Sequence, residues 1–196
     1  YGITTTESAA AFSIFGNGGK YFEPTTYYHI KDASGEIILK ADKKGKRVIS
    51  EETATVMNRL LQRVVYGAEG TGSGVGYSCN GMTVYGKTGT TSDNVDYWFV
   101  GGSPYYVASL WYGYDENENF ANNGVTKRVW REVMTSIHKD LERKEFDYSD
   151  KVYSNRYCVA TGKIAIDECE ETAIGYYKSG NGPGKCDGVH PEKEDE

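Results

Sequence analysis

The chain has 196 residues, a formal net charge of −6 and 38% hydrophobic residues. The acidic balance argues against a nucleic-acid partner, which needs basic patches, and no run approaches the roughly 18 apolar residues of a membrane-spanning helix. Seventeen tyrosines and 24 glycines suit glycine-punctuated, aromatic-rich antiparallel strands; they would also suit a carbohydrate-binding module.

In chain order, Thr4-x-x-Glu7 is a capping-box signature. It opens a helix through Ala9, Ala10, Phe12 and Phe15, which Gly16 to Gly19 stop. Tyr28-His29-Ile30 and Ile37-Ile38-Leu39 flank a turn at Asp32-Ala33-Ser34-Gly35, a hairpin pattern. Ser50 is a good N-cap, and Glu51 and Glu52 suit the positive end of a helix dipole. That second helix carries Met57, Leu60, Leu61, Val64 and Val65, a stripe expected in the core. Residues 67–81 are glycine-rich and polar, a loop. Three strands are expected next, at about 83–91, 95–102 and 105–114, with turns at Ser92-Asp93-Asn94 and Ser103-Pro104. A last helix is expected at about 126–143, with Trp130, Val133, Met134, Ile137 and Leu141 inward. The order predicts an α/β (α+β) fold, an antiparallel sheet covered by helices. Residues 1–145 form this domain. Residues 146–196 form a cysteine-containing extension, reached through the charged linker 139–151, whose acidic end at 192–196 is expected to be disordered.

The most informative stretch is Gly86-Lys87-Thr88-Gly89-Thr90-Thr91, a strand carrying a cation, hydroxyls and a position without a side chain. Gly89 lets a substrate backbone lie against the strand. Lys87 supplies a fixed positive charge, the Thr88 and Thr90 hydroxyls can bind a carboxylate, and the Thr90 N–H can face a developing oxyanion. Bare Lys-Thr-Gly recurs by chance, so the flanks decide. They read Glu69-Gly70-Thr71-Gly72 before the motif, then Asp96-Tyr97-Trp98-Phe99-Val100-Gly101 and Val107-Ala108-Ser109-Leu110-Trp111-Tyr112-Gly113-Tyr114-Asp115 after it.

With the opening Gly2-Ile3-Thr4-Thr5-Thr6-Glu7 and Ala11-Phe12-Ser13-Ile14-Phe15-Gly16-Asn17-Gly18-Gly19, this succession resembles the C-terminal half of the transpeptidase domain of class A (bifunctional) penicillin-binding proteins. The resemblance covers about residues 1–140. It implies the fold shared by serine β-lactamases and penicillin-binding transpeptidases, present here as a partial domain. It further implies a peptidoglycan D,D-transpeptidase on the extracytoplasmic face of a bacterial membrane, acting by serine acyl transfer without a cofactor and acylated by β-lactams. Peptidoglycan stem peptides and β-lactams are then the partners. Lys87 and Thr90 become the expected catalytic residues, and Thr88, Gly89, Thr90 and Trp98 the substrate-binding ones. An aromatic in a strand is more often core than ligand contact, so Trp98 also has a structural reading.

The family's nucleophile sits in Ser-x-x-Lys, followed by Ser-x-Asn, both ahead of Lys-Thr-Gly. Ser8, Ser13, Ser34 and Ser50 are followed three residues on by Ala11, Gly16, Ile37 and Thr53. The chain also begins at Tyr1, in mid-domain, and reads as a fragment whose N-terminal portion carries the family's Ser-x-x-Lys and Ser-x-Asn. It is therefore expected to be inactive alone. Two decoys follow Lys87 in the wrong order: Ser136-Ile137-His138-Lys139, on a helix, and Ser92-Asp93-Asn94, in a turn. His29, His138 and His190 lie in unrelated contexts with no Ser-His-Asp pattern. The non-catalytic alternative is a cell-wall glycan- or peptide-binding module with tyrosines as stacking platforms.

Three of the four cysteines, Cys158, Cys169 and Cys186, fall in the extension, and Cys79 stands apart. A disulfide between the nearest pair, Cys158 and Cys169, is favoured in an oxidising compartment. The other reading, a metal site from these three and His190, lacks the Cys-x-x-Cys knuckle that makes zinc assignments strong. The sequence therefore assigns no metal. Segments of this kind resemble extensions that follow the domain in some Gram-positive relatives.

Overall fold

The computed structural model describes residues 2–116, 118–121 and 123–190, so the acidic end expected to be disordered lies outside the described residues. The chain divides into two compact units, Tyr1–Asp147 and Tyr148–Glu196.

In the first unit, α1 (Thr5–Gly16) begins at a complete capping box. Glu7 N donates to Thr4 Oγ1 at 3.2 Å, and Thr4 N to Glu7 Oε2 at 2.8 Å. After it come β1 (Lys20–Tyr21), β2 (His29–Lys31), β3 (Ile37–Lys40) and β4 (Lys46–Arg47), with β1 paired to β4 and β2 to β3. The β2–β3 hairpin is exposed along both strands, Ile30, Ile37 and Leu39 included. Helix α2 (Glu51–Tyr66) starts at Ser50, whose hydroxyl accepts from Thr53 N. Its inner face differs from the expected stripe. Leu61 and Val65 are buried, but Leu60 is 49% exposed, and Asn58 goes inside instead, donating to Phe15 C=O at 3.1 Å. That bond satisfies a carbonyl at the end of α1, a need that hydrophobic periodicity does not register.

Strands β5 (Tyr85–Thr90), β6 (Asp96–Gly102) and β7 (Val107–Gly113) form an antiparallel sheet in that order, leaving β5 at an edge. Helix α1 lies against one face, where Tyr85 donates to Phe12 C=O at 2.8 Å. Burial pushes the Tyr85 phenol well above its ordinary pKa, so it remains a neutral donor. Helix α3 (Val125–His138) covers the other face, with Trp130 edge-on to Phe99 and donating Nε1–H to Ala108 C=O. The core between α3 and the sheet contains Val65, Val75, Cys79, Met82, Val84, Phe99, Trp130 and Met134.

Helix α3 corrects the sequence reading twice. Its buried residues are Thr126, Trp130, Met134 and His138, spaced by four, whereas Val133 and Ile137 are 49% and 47% exposed. It also ends at His138 rather than near Arg143. Beyond it the chain is held by tertiary bonds: Asn80 Nδ2 donates to Leu141 C=O, and Arg143 Nε to Asn80 C=O. His138 closes a polar chain inside the protein. Its Nδ1 is 2.6 Å from Met134 O, its Nε2 is 2.6 Å from Ser103 Oγ, and Ser103 Oγ accepts from the N–H groups of Tyr105 and Tyr106. A carbonyl only accepts, so Nδ1 carries the proton and Nε2 accepts from the serine hydroxyl. Replacing Ser103 by alanine strands two N–H donors and a ring nitrogen. It is expected to cost about 1–3 kcal/mol in urea unfolding, with Ser103→Thr losing less.

The second unit contains a hairpin absent from the sequence reading, β8 (Val152–Cys158) paired antiparallel with β9 (Thr172–Lys178). Its signal was present: Val152-Tyr153 and Tyr176-Tyr177 supply strand-forming residues, and the Tyr153 and Tyr177 rings meet across the strands at 5.7 Å. The expected Cys158–Cys169 disulfide is not formed; all four cysteines are free thiols. Cys158 and Cys169 are instead buried together with Cys186, beside Ala165 and Ile166.

Candidate active site

The candidate site is built on β5 because that strand has a sheet neighbour on one side only. Lys87 pairs with Val100 and Gly89 with Trp98 across β5–β6, so the side chains of Lys87, Val100 and Trp98 share the α1 face. Thr88 and Thr90 point to the other face, by the two-residue alternation of a strand. Lys87 nevertheless reaches the strand edge. Its Nζ donates to Thr88 C=O at 2.9 Å and lies 3.4 Å from Thr88 Oγ1.

That bond also fixes the backbone orientation. Thr88 C=O turns away from β6, whereas Thr91 N donates to Asp96 C=O on the paired side. Backbone groups alternate along an antiparallel strand, so the Thr90 N–H faces the same open edge as Thr88 C=O. A cation and an unpaired N–H thus stand along one edge, beside the exposed Thr90 side chain. Among the described residues no ion pair engages Lys87, so its charge is available to a ligand.

Gly89 stands opposite Trp98, and a Cβ there would lie 3.0 Å from Trp98 Cβ. Trp98 is half-buried. It lines a cleft of about 570 Å³ with Ile3, Thr91, Asp96 and Trp111. Asp96 Oδ1 accepts from Trp111 Nε1 at 2.7 Å, fixing the second ring. Lys87 opens into another cleft of about 490 Å³, lined with Arg63, Glu69, Gly70 and Thr71. A larger cleft of about 650 Å³, between α1 and the start of β7, touches none of the five expected site residues.

Sequence reasoning left Thr71 and Lys127 without a role. Thr71 Oγ1 is 2.8 Å from Thr88 Oγ1, and Lys127 Nζ donates to Thr71 C=O at 3.1 Å. The glycine-rich loop is thereby pinned to the motif strand at one end and to α3 at the other. Glu69-Gly70-Thr71-Gly72 was visible as a flank, but a hydroxyl pair 17 positions apart has no local signature. Both serine decoys lie on the surface, Ser136 exposed on α3 and Ser92 in the turn after β5.

The model of the penicillin-binding protein transpeptidase domain matches residues 1–135. The chain belongs to that family. Penicillin-binding protein 1A of Clostridium tetani is 32% identical over 95% of this chain, and that of Clostridium acetobutylicum 40% identical over 74%. The chain spans 25% and 18% of the length of those two relatives. Among solved structures, penicillin-binding protein 1A from Haemophilus influenzae superposes with a TM-score of 0.79 at 22% identity, covering 92% of this chain and 33% of that one. PonA1 from Mycobacterium tuberculosis gives 0.63 at 22% identity over 72% of this chain and 40% of that one. The α/β transpeptidase fold read from the sequence is therefore the fold of this chain. Among the described residues no helix is long and apolar enough to cross a membrane.

Proposed function

We propose that this chain forms one wall of the active site of a peptidoglycan D,D-transpeptidase working outside the cell membrane. The observation that carries the reading is the open edge of β5, where the Lys87 ammonium and the unpaired Thr90 N–H stand beside the exposed Thr90 side chain within a penicillin-binding transpeptidase fold. No serine ahead of Lys87 stands in Ser-x-x-Lys, so the nucleophile is supplied by sequence outside these residues. Its hydroxyl oxygen attacks the carbonyl carbon of the terminal D-Ala-D-Ala peptide bond. The peptide C–N bond breaks, D-alanine leaves with a proton on its nitrogen, and an amine of a neighbouring stem peptide resolves the ester.

Within that reaction the Thr90 N–H donates to the oxygen that becomes negative. Lys87 supports proton delivery to the leaving amine, and Gly89 leaves room for the substrate backbone beside Trp98. Thr90 has the freer hydroxyl for the terminal carboxylate, since Thr88 Oγ1 is already engaged by Thr71 and Lys87. β-Lactams acylate the same serine because they present a strained amide and a carboxylate in this arrangement.

Labelling with a fluorescent penicillin tests the reading. The full-length protein is expected to take one equivalent on a serine outside this chain, and the 196-residue chain alone none. An adduct on any serine of the isolated chain, or no adduct on the full-length protein, overturns it. Muropeptide binding without acylation would favour a non-catalytic module. In the full-length protein, Thr90→Val removes the hydroxyl and keeps the N–H. It is expected to weaken recognition of carboxylate-bearing β-lactams by about 1.5–3 kcal/mol, typical of a hydrogen bond to a charged group, with Thr90→Ser restoring most of it. Titration of the pre-acylation complex measures both.

A further inference from the structure

Three thiols and an imidazole converge in the second unit. The Sγ atoms of Cys158, Cys169 and Cys186 and a ring nitrogen of His190 all lie within 4.8 Å of one another. Three turns bring them together. Cys158 ends β8, and its carbonyl accepts from Gly162 N while its N–H donates to Lys163 C=O. Cys169 follows a turn closed by its own N–H to Ile166 C=O, and Cys186 N donates to Ile164 C=O. His190, four residues after Cys186, places Nε2 3.4 Å from Cys186 Sγ.

We propose that Cys158, Cys169, Cys186 and His190 bind one zinc ion as a closed, structural Cys₃His site. Zinc takes thiolates at about 2.3 Å and imidazole at about 2.0–2.1 Å in a tetrahedron, which sets S···S edges of about 3.8 Å. The ligand atoms are already near that separation, and a closure of less than about 1 Å completes it. A disulfide requires sulfurs about 2.05 Å apart, and joining any two of the three would strand the third thiol beside His190. Cys79 is buried in the core of the other unit.

The surroundings are those of a metal centre rather than of an ordinary apolar core. Ile166 N–H points at Cys169 Sγ and the Thr161 hydroxyl at Cys186 Sγ, each at 3.4 Å. Such donors to sulfur orient and stabilise thiolate ligands. The three cysteines, with Ala165 and Ile166 packed on them, are the whole of this cluster. A unit of roughly 50 residues with one hairpin does not bury enough apolar surface to hold itself together, and small folds of this size use a metal or disulfides. Binding displaces one proton from each thiol still protonated and oxidises nothing, so affinity falls with acidification.

Metal analysis and cobalt substitution of the 196-residue chain test the proposal. One equivalent of zinc is expected after purification with zinc and reductant. Cobalt in its place should show tetrahedral ligand-field bands with thiolate-to-cobalt charge transfer. Cys169→Ser and His190→Ala are each expected to lower zinc affinity by more than about a hundredfold, beyond the loss from an outer-shell partner. His190→Cys should keep the metal with stronger charge transfer, and Cys79→Ala should bind as the parent does. On the unmodified chain, chelation should raise amide exchange across 152–178 and leave 85–113 unchanged, so the result does not depend on any variant folding. Reduced thiols that take up no metal, octahedral cobalt, or a Cys158–Cys169 disulfide in protein that binds none would overturn it, as would iron instead of zinc. Fluorescent-penicillin labelling of the full-length protein is independent of these readouts.

Discussion

Replacing Lys87 by alanine in the full-length protein is expected to slow acylation by a β-lactam about a hundredfold or more, with little change in the affinity of the initial complex. Proton transfer by a positioned side chain contributes about 10²–10⁴-fold to rate. An interaction that strengthens only as charge develops lowers the rate constant rather than ground-state binding. The structure gives Lys87 no ion pair among the described residues and bonds its ammonium to Thr88 C=O at the open edge of β5. Little of the fold depends on it, since its side chain is exposed. Stopped-flow acylation at saturating and subsaturating drug separates the two terms. A loss confined to affinity would assign Lys87 to carboxylate binding, and unchanged kinetics would remove it from the site.

The second large effect is on stability. Trp130→Ala is expected to destabilise the chain by about 3–5 kcal/mol, the cost typical of emptying a buried tryptophan site. Trp130 is 1% exposed and fills the space between α3 and the sheet, edge-on to Phe99 with ring centroids 5.1 Å apart. Its Nε1–H donates to Ala108 C=O at 3.0 Å, a bond that the substitution removes. Against a total stability of about 5–15 kcal/mol, the loss is a large fraction. Trp130→Phe should recover part of the packing but not the hydrogen bond. Val133→Ala, three residues on, should change stability by less than about 0.5 kcal/mol, since Val133 is 49% exposed. Urea unfolding followed by far-ultraviolet circular dichroism compares the three. A large loss at Val133 with a small one at Trp130 would restore the inward stripe expected from sequence.

The sequence by itself determined the features that are local. Thr4 and Glu7 form their capping box within one turn of helix, and Ser50 caps α2 across three residues. The three strands were legible from alternation and turn residues, and with them the placement of Lys87, Thr88, Gly89 and Thr90 on one strand. The tertiary structure alone decided which neighbours those elements meet. It turned the inner face of α3 from Val133 and Ile137 toward Thr126 and His138, because Ser103 on the sheet side offers the imidazole a partner. It stopped α3 at His138, where Asn80 and Arg143 supply tertiary bonds to the chain beyond. It fastened Thr71 to Thr88, and it gathered Cys158, Cys169, Cys186 and His190 from positions that span more than thirty residues. Apolar periodicity reports how much surface an element must bury. A buried hydroxyl, imidazole or thiol is stable only if a specific partner waits for it, and that partner comes from a distant part of the chain.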